Sequence, residues 1–258
     1  MVPLDFTDLL LVLGLAVATM ALSAYWRLGI VRQLAGSGLR AIAQLAVVGY
    51  VFAVVFDPAG IHPLLTIAVI LAMISLVAVV VRNRIGRTIP RLFLWVWGSV
   101  LVGTGAISLY LVAIVIQPDP IYSPQYWVPV AAAILAGSLN AAMVAGEQLV
   151  KTLNACQIEI ETHLSLGATP EQAIASYRRD AVRAGLTPTL NAMAIAGAVT
   201  LPGILTGQLL AGIEPLDAVS YQILILFAVV LADLLTTWLL TGGICRQFFN
   251  ADLQLRHF

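Results

Sequence analysis

Apolar residues occur in long runs that are separated by short polar segments along the whole chain. Crossing the hydrocarbon core of a bilayer takes about 20 residues of helix. Seven runs reach this length or can be extended to it, and they are Leu9–Trp26, Ala41–Phe56, Leu64–Val81, Leu92–Ile116, Tyr126–Gly146, Leu190–Ala211 and Ala218–Thr241. The pattern predicts an all-α integral membrane protein with seven transmembrane helices in one domain, residues 1–258.

The basic residues alternate with the predicted spans. All 13 of them lie between spans one and two, three and four or five and six, or after span seven: Arg27, Arg32, Arg40, Arg82, Arg84, Arg87, Arg91, Lys151, Arg178, Arg179, Arg183, Arg246 and Arg256. The other loops, at 57–63, 117–125 and 212–217, contain none. Because cytoplasmic loops are enriched in Lys and Arg, this predicts an outside N-terminus and a cytoplasmic C-terminus.

Composition supports a lipid environment for most of the chain. Hydrophobic residues make up 60% of it and charged residues 10%, whereas soluble domains carry roughly 25% charge. We therefore expect a multi-pass protein of the plasma membrane, which is the inner membrane in a bacterium. The formal net charge is zero, so we expect membrane lipid and no nucleic acid among its partners.

The longest polar stretch, at about 147–188, separates spans five and six. Its first part predicts that the helix of span five continues beyond the membrane. An apolar stripe with helical spacing runs along it, formed by Leu149, Leu153, Cys156, Ile160 and Leu164. Such a helix would place the following turn in the cytoplasm.

The second part of this stretch contains a turn with clear capping signals. Gly167 suits the left-handed end of one helix. Thr169 and Gln172 have the spacing of a capping box at the start of the next, and Pro170 occupies the first helical position. We predict a helix, a tight turn and a second helix that is stopped by Pro188.

Polar residues inside the predicted spans are costly and therefore informative. Asp233 lies near the middle of span seven, and the amides are Gln44, Asn140, Asn191 and Gln208. The amides are more typical of hydrogen bonds between helices than of a polar path. For Asp233, a structural role and a place on a polar path remain equally open.

Pro202 and Gly203, in the run LPGILTG, predict a kink or break in span six. Broken helices at membrane depth often line a cavity. The candidate translocation path is therefore formed by Gln44, Asn140, Pro202, Gly203, Gln208 and Asp233.

Motifs of common enzyme sites are missing from the sequence. It has no phosphate-binding loop, no G-x-S-x-G and no H-E-x-x-H, and its three histidines are far apart. We expect no enzymatic activity and no cofactor in this chain. The sequence identifies no set of metal ligands.

The segment ETHLSLGATPEQA, which begins at Glu161, resembles the cytoplasmic coupling loop of ABC-transporter membrane subunits. In those proteins a short helix docks into a groove of a separate ATPase. The resemblance implies that the ATPase contacts are made by Glu161, Leu166, Gly167, Ala168, Thr169 and Pro170.

Further segments are similar to the family of FetB-type permeases, the bacterial iron-export and plant aluminium-tolerance membrane subunits. They are RAI at 40–42, QL at 44–45, VGY at 48–50, LSLGATP at 164–170, RD at 179–180, RA at 183–184, LPG at 201–203, AGI at 211–213 and YQ at 221–222. The resemblance implies a permease that forms a homodimer and binds two copies of a cytoplasmic ABC ATPase, which would carry ATP and Mg²⁺. It also implies export of a metal ion such as iron.

Three other interpretations stay open at this stage. An ion- or proton-coupled secondary carrier would use Asp233 and no ATPase. A seven-helix receptor would bind a signalling partner through the polar stretch, although its short external loops argue against this. A surface hairpin could instead rest on anionic headgroups through Arg178, Arg179 and Arg183.

Overall fold

The computed structural model describes residues 6–56 and 63–249, and within these ranges every regular element is a helix. The chain divides into two units, one up to residue 61 and one from residue 62 onward. Most of the predicted external loop at 57–63 and the C-terminal Arg256 lie outside the described residues. The helices themselves agree with the predicted all-α class.

The first unit is formed by two helices, α1 (Phe6–Tyr25) and α2 (Val31–Val55). The predicted second span, which starts at about Ala41 but can be extended, corresponds to a longer helix, because α2 already begins at Val31. Arg32 and Arg40 therefore lie inside this helix and not in a loop before it. Arginine is a good helix former, and its long side chain can keep its charged head in water, so neither residue ends the helix.

The second unit contains the remaining helices. These are α3 (Pro63–Ile85), α4 (Leu92–Tyr110), which continues as a π-helical turn (Leu111–Ile116), α5 (Pro124–Ala155), α6 (Gln157–Ser165), α7 (Pro170–Ile195), α8 (Gly203–Leu210) and α9 (Pro215–Gln247). Helix α5 packs against α3, α4, α7 and α9 and forms the centre of the unit.

Five helices of the described residues are long and apolar enough to cross a membrane, namely α2, α3, α4 with its π-helical turn, α5 and α9. Helix α1 contributes a shorter apolar stretch, Leu13–Tyr25. Seven spans and their orientation stay a prediction.

The sixth predicted span is not one continuous helix. Helix α7 ends at Ile195, and α8 begins at Gly203 after a turn in which Gly197 has φ +81°. Pro202 is the N-cap residue of α8. The interruption that the sequence predicted near Pro202 is therefore present, and it separates two helices.

The predicted helix end at Pro188 is wrong, because α7 continues through Pro188 to Ile195. A proline removes one backbone N–H from the helix but can be tolerated where neighbouring helices hold the chain. Here α7 is held on both sides of Pro188. Gly185 lies against α5 and α9, and Thr189 bonds to α9.

Small residues allow the helices to approach closely. A Cβ added to Gly103 would collide with Oγ1 of Thr236, and one added to Gly137 would lie 2.9 Å from Oδ1 of Asp233. Both contacts join a glycine, of α4 or of α5, to α9. Such close approach is how helices gain packing contacts in a bilayer, where lipid is as apolar as the side chains.

Candidate functional site

The turn between α6 and α7 is closed by hydrogen bonds at the start of α7. Gly167 takes the left-handed conformation, with φ +91°. The backbone N–H of Gln172 donates to Oγ1 of Thr169 over 3.3 Å, and the backbone N–H of Thr169 donates to Oε1 of Gln172 over 3.0 Å. Both bonds of the predicted capping box are formed, so the helix–turn–helix prediction is confirmed.

The predicted coupling residues surround this turn, and most of them are exposed. Glu161, Gly167 and Thr169 are exposed, whereas Ala168 and Pro170 are half-buried. Leu166 is 80% exposed, and Ile158 on α6, which the sequence analysis did not select, is 83% exposed. Two large apolar side chains are therefore exposed to the surroundings on this polar element.

The opposite side of the same segment is anchored in the core. Leu149, Leu153 and Ile160, members of the predicted apolar stripe, are fully buried in the main hydrophobic cluster. The segment that precedes the turn is therefore packed into the core on one side, while Ile158 and Leu166 are exposed on the other.

Tyr177 connects α7 to α6. Burial, as the larger cause, and the carboxylate of Glu159 together raise the pKa of Tyr177 to about 12. Both causes favour the neutral phenol. The two helices beside the turn are thus joined by this interaction as well as by the chain.

Arg178 connects α7 to α9. Its Nη2 donates to the carbonyl oxygen of Trp238 over 2.8 Å, and its Nε donates to Oγ1 of Thr241 over 3.3 Å. The guanidinium carbon also lies 3.9 Å from the centroid of the Trp238 ring, a cation–π contact. Arg178 follows the capped turn by about two helical turns, so it joins the start of α7 to the last part of α9.

A second connection between the same helices is made by Asp233, which is completely buried. Its Oδ2 accepts a hydrogen bond of 2.6 Å from Oγ1 of Thr189 on α7. Its Oδ1 accepts a bond of 3.3 Å from Oγ of Ser138 on α5. One carboxyl group therefore joins α5, α7 and α9 inside the packed unit.

The residues of the candidate translocation path that belong to α8 do not lie beside Asp233. Pro202 and Gly203 form the start of this helix, and the side-chain oxygen of Gln208 is buried with no hydrogen-bond partner in the described part of the chain. The N–H of Leu205 donates to Oε1 of Gln222 on α9 over 3.3 Å. Gln222 precedes Asp233 by about three helical turns, roughly 16 Å, so α8 meets α9 well away from the buried carboxyl.

The other amides that the sequence analysis selected are exposed. Asn140 and Asn191 lie on exposed faces of α5 and α7, and Gln44 is exposed on α2 in the first unit. Within the second unit, the structure therefore brings neither α8 nor the exposed amides of α5 and α7 to Asp233. It brings Ser138 and Thr189, which the sequence analysis did not select, because one sequence does not show which residues of different helices face each other.

The side chains that usually bind metal ions do not form a cluster in the described residues. Within 6–56 and 63–249, no group of three or more His, Cys, Asp or Glu side chains is close enough together to hold a metal ion. The oxygen atoms that do converge are those of Asp233, Ser138 and Thr189.

Comparisons with known proteins agree with a membrane protein. The model of the Uncharacterised protein family (UPF0014) matches residues 6–249. UPF0014 membrane protein slr1647 of Synechocystis is 47% identical over 99% of this chain and 98% of its own. The probable iron export permease protein FetB of Escherichia coli is 31% identical over 96% of this chain and 93% of its own.

A plant protein is also related. The protein ALUMINUM SENSITIVE 3 of Arabidopsis thaliana is 29% identical over 84% of this chain and 77% of its own. No solved structure matches the chain significantly. The extent of these matches and the helical fold show that the chain belongs to the UPF0014 family of membrane proteins, which includes the FetB-type permeases.

Proposed function

We propose that this chain is the membrane-spanning permease subunit of an ABC transporter that exports a metal ion such as iron. A separate cytoplasmic ATPase would supply the energy, and this chain would catalyse no reaction itself. The observation that carries the proposal is the capped turn at Gly167, which is exposed, rests on a packed base and begins α7. The relationship to a protein named as an iron export permease supports the substrate class.

Movement of the turn would reach the membrane through α7. This helix has 26 residues, which corresponds to roughly 39 Å. It is joined to α9 near its start by Arg178 and near its end by Thr189. A displacement of the turn would therefore shift α7 and α9 together against α5, and Asp233 lies where the three helices meet.

The proposed assembly is a homodimer of this chain with two ATPase subunits in the plasma membrane. Each chain would form one permease domain of residues 1–258, with seven spans, an outside N-terminus and a cytoplasmic C-terminus. The distribution of the basic residues supports this orientation. The exposed turn would then face the cytoplasm, where an ATPase can dock.

The oxygen atoms that meet between α5, α7 and α9 are compatible with a metal ion as substrate. Asp233, Ser138 and Thr189 offer a carboxylate and two hydroxyls, and cations such as iron accept oxygen ligands. The carboxyl of Asp233 is the buried acidic group of the described residues. We propose that Asp233 lies on the translocation path.

The proposal can be tested by purifying the tagged chain from its native membranes in mild detergent and identifying the proteins that accompany it. We expect a stoichiometric ATPase. Leu166→Asp and Glu161→Arg should release it, because both side chains are exposed beside the turn. Ile121→Asp is the matched control, because Ile121 is an exposed apolar residue in the loop before α5.

A homo-oligomer without an ATPase, under conditions that keep a known transporter intact, would contradict the proposal. So would an ATPase that Ile121→Asp releases as readily as Leu166→Asp, because the loss would then reflect a general defect.

One observation favours a second candidate, a proton- or ion-coupled carrier. Asp233 is a buried carboxyl with two hydroxyl partners on other helices, which is typical of residues that carry ions across a membrane. A carrier would lose transport in Asp233→Asn but keep it in Leu166→Asp. The permease would lose transport in Leu166→Asp as well.

A further inference from the structure

A cleft of about 1000 Å³ opens beside the capped turn, between the start of α7, the end of α9 and the first turns of α4. Its lining includes the aromatic side chains of Trp95 and Trp238 and the basic side chains of Arg178, Arg179 and Arg246. The cleft belongs to the second unit. The positions of the basic residues place it at the end of the helix bundle that we predict to face the cytoplasm.

The charge of this cleft is strongly positive. Three arginines line it, with Glu171 as the acidic residue of the lining. Arg178 uses two of its N–H groups on α9, and the guanidinium of Arg246 lies 6.0 Å from the Trp95 ring. In the described part of the chain the ion pairs use other arginines, Arg84 and Arg183. Arg179 donates from Nε to the carbonyl oxygen of Ala175. The three guanidinium groups of the cleft thus keep their charge without a carboxylate partner and retain further N–H groups for an anion.

An apolar groove adjoins the cleft. It has a volume of about 480 Å³, shares Trp95 and Leu239 with the cleft, and runs along α4 past Leu94, Gly98 and Val102. Leu94 and Val102 are 63% and 51% exposed. From Trp95 to Val102 the helix rises by roughly 10 Å. The groove therefore leads from the basic cleft toward the part of α4 that crosses the apolar region.

We propose that the cleft and the groove together bind one anionic phospholipid. The phosphate would lie among the arginines of the cleft, and an acyl chain would lie along α4 in the groove. Basic pockets between transmembrane helices on the cytoplasmic side suit anionic headgroups, and tryptophan suits the interface where they lie. A soluble phosphate ester offers the same anion but has nothing to fill the apolar groove, so the groove favours the lipid.

A lipid bound at this site would contact α7, α9 and the capped turn at the same time. Arg178 in the cleft also joins α7 to α9, and Thr169 and Pro170 of the capped turn line the same cleft. A bound headgroup would hold these elements together. The proposal does not depend on an ATPase partner, so it can fail or succeed independently of the proposed function.

The test measures binding of dioleoylphosphatidylglycerol and dioleoylphosphatidylcholine to the purified full chain by native mass spectrometry in detergent. We expect one tightly held phosphatidylglycerol and much weaker binding of phosphatidylcholine. Arg246→Gln should weaken binding of the anionic lipid about tenfold, as expected for the loss of a charged hydrogen bond. Arg183→Gln removes the same charge outside the cleft, where Arg183 pairs with Asp180, and should leave binding unchanged.

A second pair of variants tests the groove. A side chain added at Gly98 or at Gly105 meets no neighbouring atom within 4 Å, but only Gly98 lines the groove. Gly98→Leu should therefore fill the groove and weaken phosphatidylglycerol binding about tenfold, the effect of displacing a few methylene groups. Gly105→Leu should have no effect.

Three results would overturn the proposal. One is equal retention of the two lipids. Another is full displacement of phosphatidylglycerol by glycerol phosphate together with no effect of Gly98→Leu, which would indicate a soluble phosphate ester. In the third result, the chain shows no preference between the two lipids, and Arg246→Gln loses a protein that co-purifies with the unsubstituted chain. This result would assign the cleft to an acidic segment of that protein.

Discussion

At the scale of single residues, the two hydrogen bonds of Asp233 differ in length and should differ in strength. The bond from Thr189 is 2.6 Å long and the bond from Ser138 is 3.3 Å. Hydrogen bonds to an ionised oxygen are strongest at the shorter of these distances. Thr189 therefore contributes more than Ser138 to holding the buried carboxyl.

We predict that Thr189→Val lowers the free energy of unfolding by about 1–3 kcal/mol, because it leaves a buried acceptor with one partner fewer. Ser138→Ala should cost less. Thermal unfolding of the purified chain in detergent measures both. Thr19→Val serves as the control, because the Thr19 hydroxyl is exposed and donates within its own helix to the Leu15 carbonyl. A larger loss in Ser138→Ala than in Thr189→Val would contradict the ranking.

The phenol of Tyr177 should make the folded protein sensitive to high pH. Its pKa is raised from 10.0 to about 12 in all, with burial as the larger cause and Glu159 as the smaller one. The folded state therefore holds the proton more tightly than the unfolded state, and the stability that this gives is complete below pH 10 and is lost as the pH rises toward 12. In a tyrosinate absorbance titration, Tyr177→Phe should remove the latest-titrating phenol.

The order of the two causes gives a control for this titration. Glu159→Gln removes the hydrogen-bonding carboxylate but leaves the burial. The pKa of Tyr177 should therefore fall only part of the way toward its ordinary value. A complete return to that value would show that burial is not the larger cause.

At the scale of helices, the crossing of α7 over α5 depends on Gly185. A Cβ there would lie 2.8 Å from the carbonyl oxygen of Ala141 and 2.9 Å from the Cβ of Ala145. Neither atom can move without its helix. We predict that Gly185→Ala lowers the free energy of unfolding by about 1–3 kcal/mol through overpacking, as measured by thermal unfolding in detergent.

The matched control is Gly105→Ala. A Cβ at Gly105 meets nothing within 4 Å, and alanine favours the helix over glycine by about 1 kcal/mol. This variant should be neutral or slightly more stable. Equal losses in the two variants would show that helix propensity, and not the contact with α5, decides the effect.

The sequence predicts structure that depends on residues close together in the chain, but it does not predict contacts between different helices. The capped turn was predictable, because Thr169, Pro170 and Gln172 act within a few residues of one another. The continuation of α7 beyond Pro188 was not, because it depends on contacts with α5 and α9. For the same reason, the sequence did not identify Ser138 and Thr189 as hydrogen-bond partners of Asp233. A carboxyl inside an apolar run marks a site, but its partners depend on how the helices face each other.

At the scale of the whole molecule, the open question is whether α7 and α8 together cross the membrane. Neither is among the five helices that could span it by length and composition. Helix α7 nevertheless has 26 residues, roughly 39 Å, and the alternation of basic residues predicts a crossing between the turn at Gly167 and the loop before α9. The structure reaches this loop through an interrupted helix, which a membrane tolerates where the irregular backbone is buried in protein or lines a cavity.

We predict that Leu166→Cys and Ile213→Cys lie on opposite sides of the membrane. Both positions are exposed apolar residues at turns, and each variant is made in a chain in which Cys156 and Cys245, the native cysteines, are replaced by alanine. In sealed cells, a membrane-impermeant maleimide should label Ile213→Cys and leave Leu166→Cys unlabelled, because we predict that the turn faces the cytoplasm. Permeabilised cells should show labelling of both. If both react or both stay unlabelled in sealed cells, α7 and α8 do not form a span, and the capped turn then shares its side of the membrane with the loop before α9.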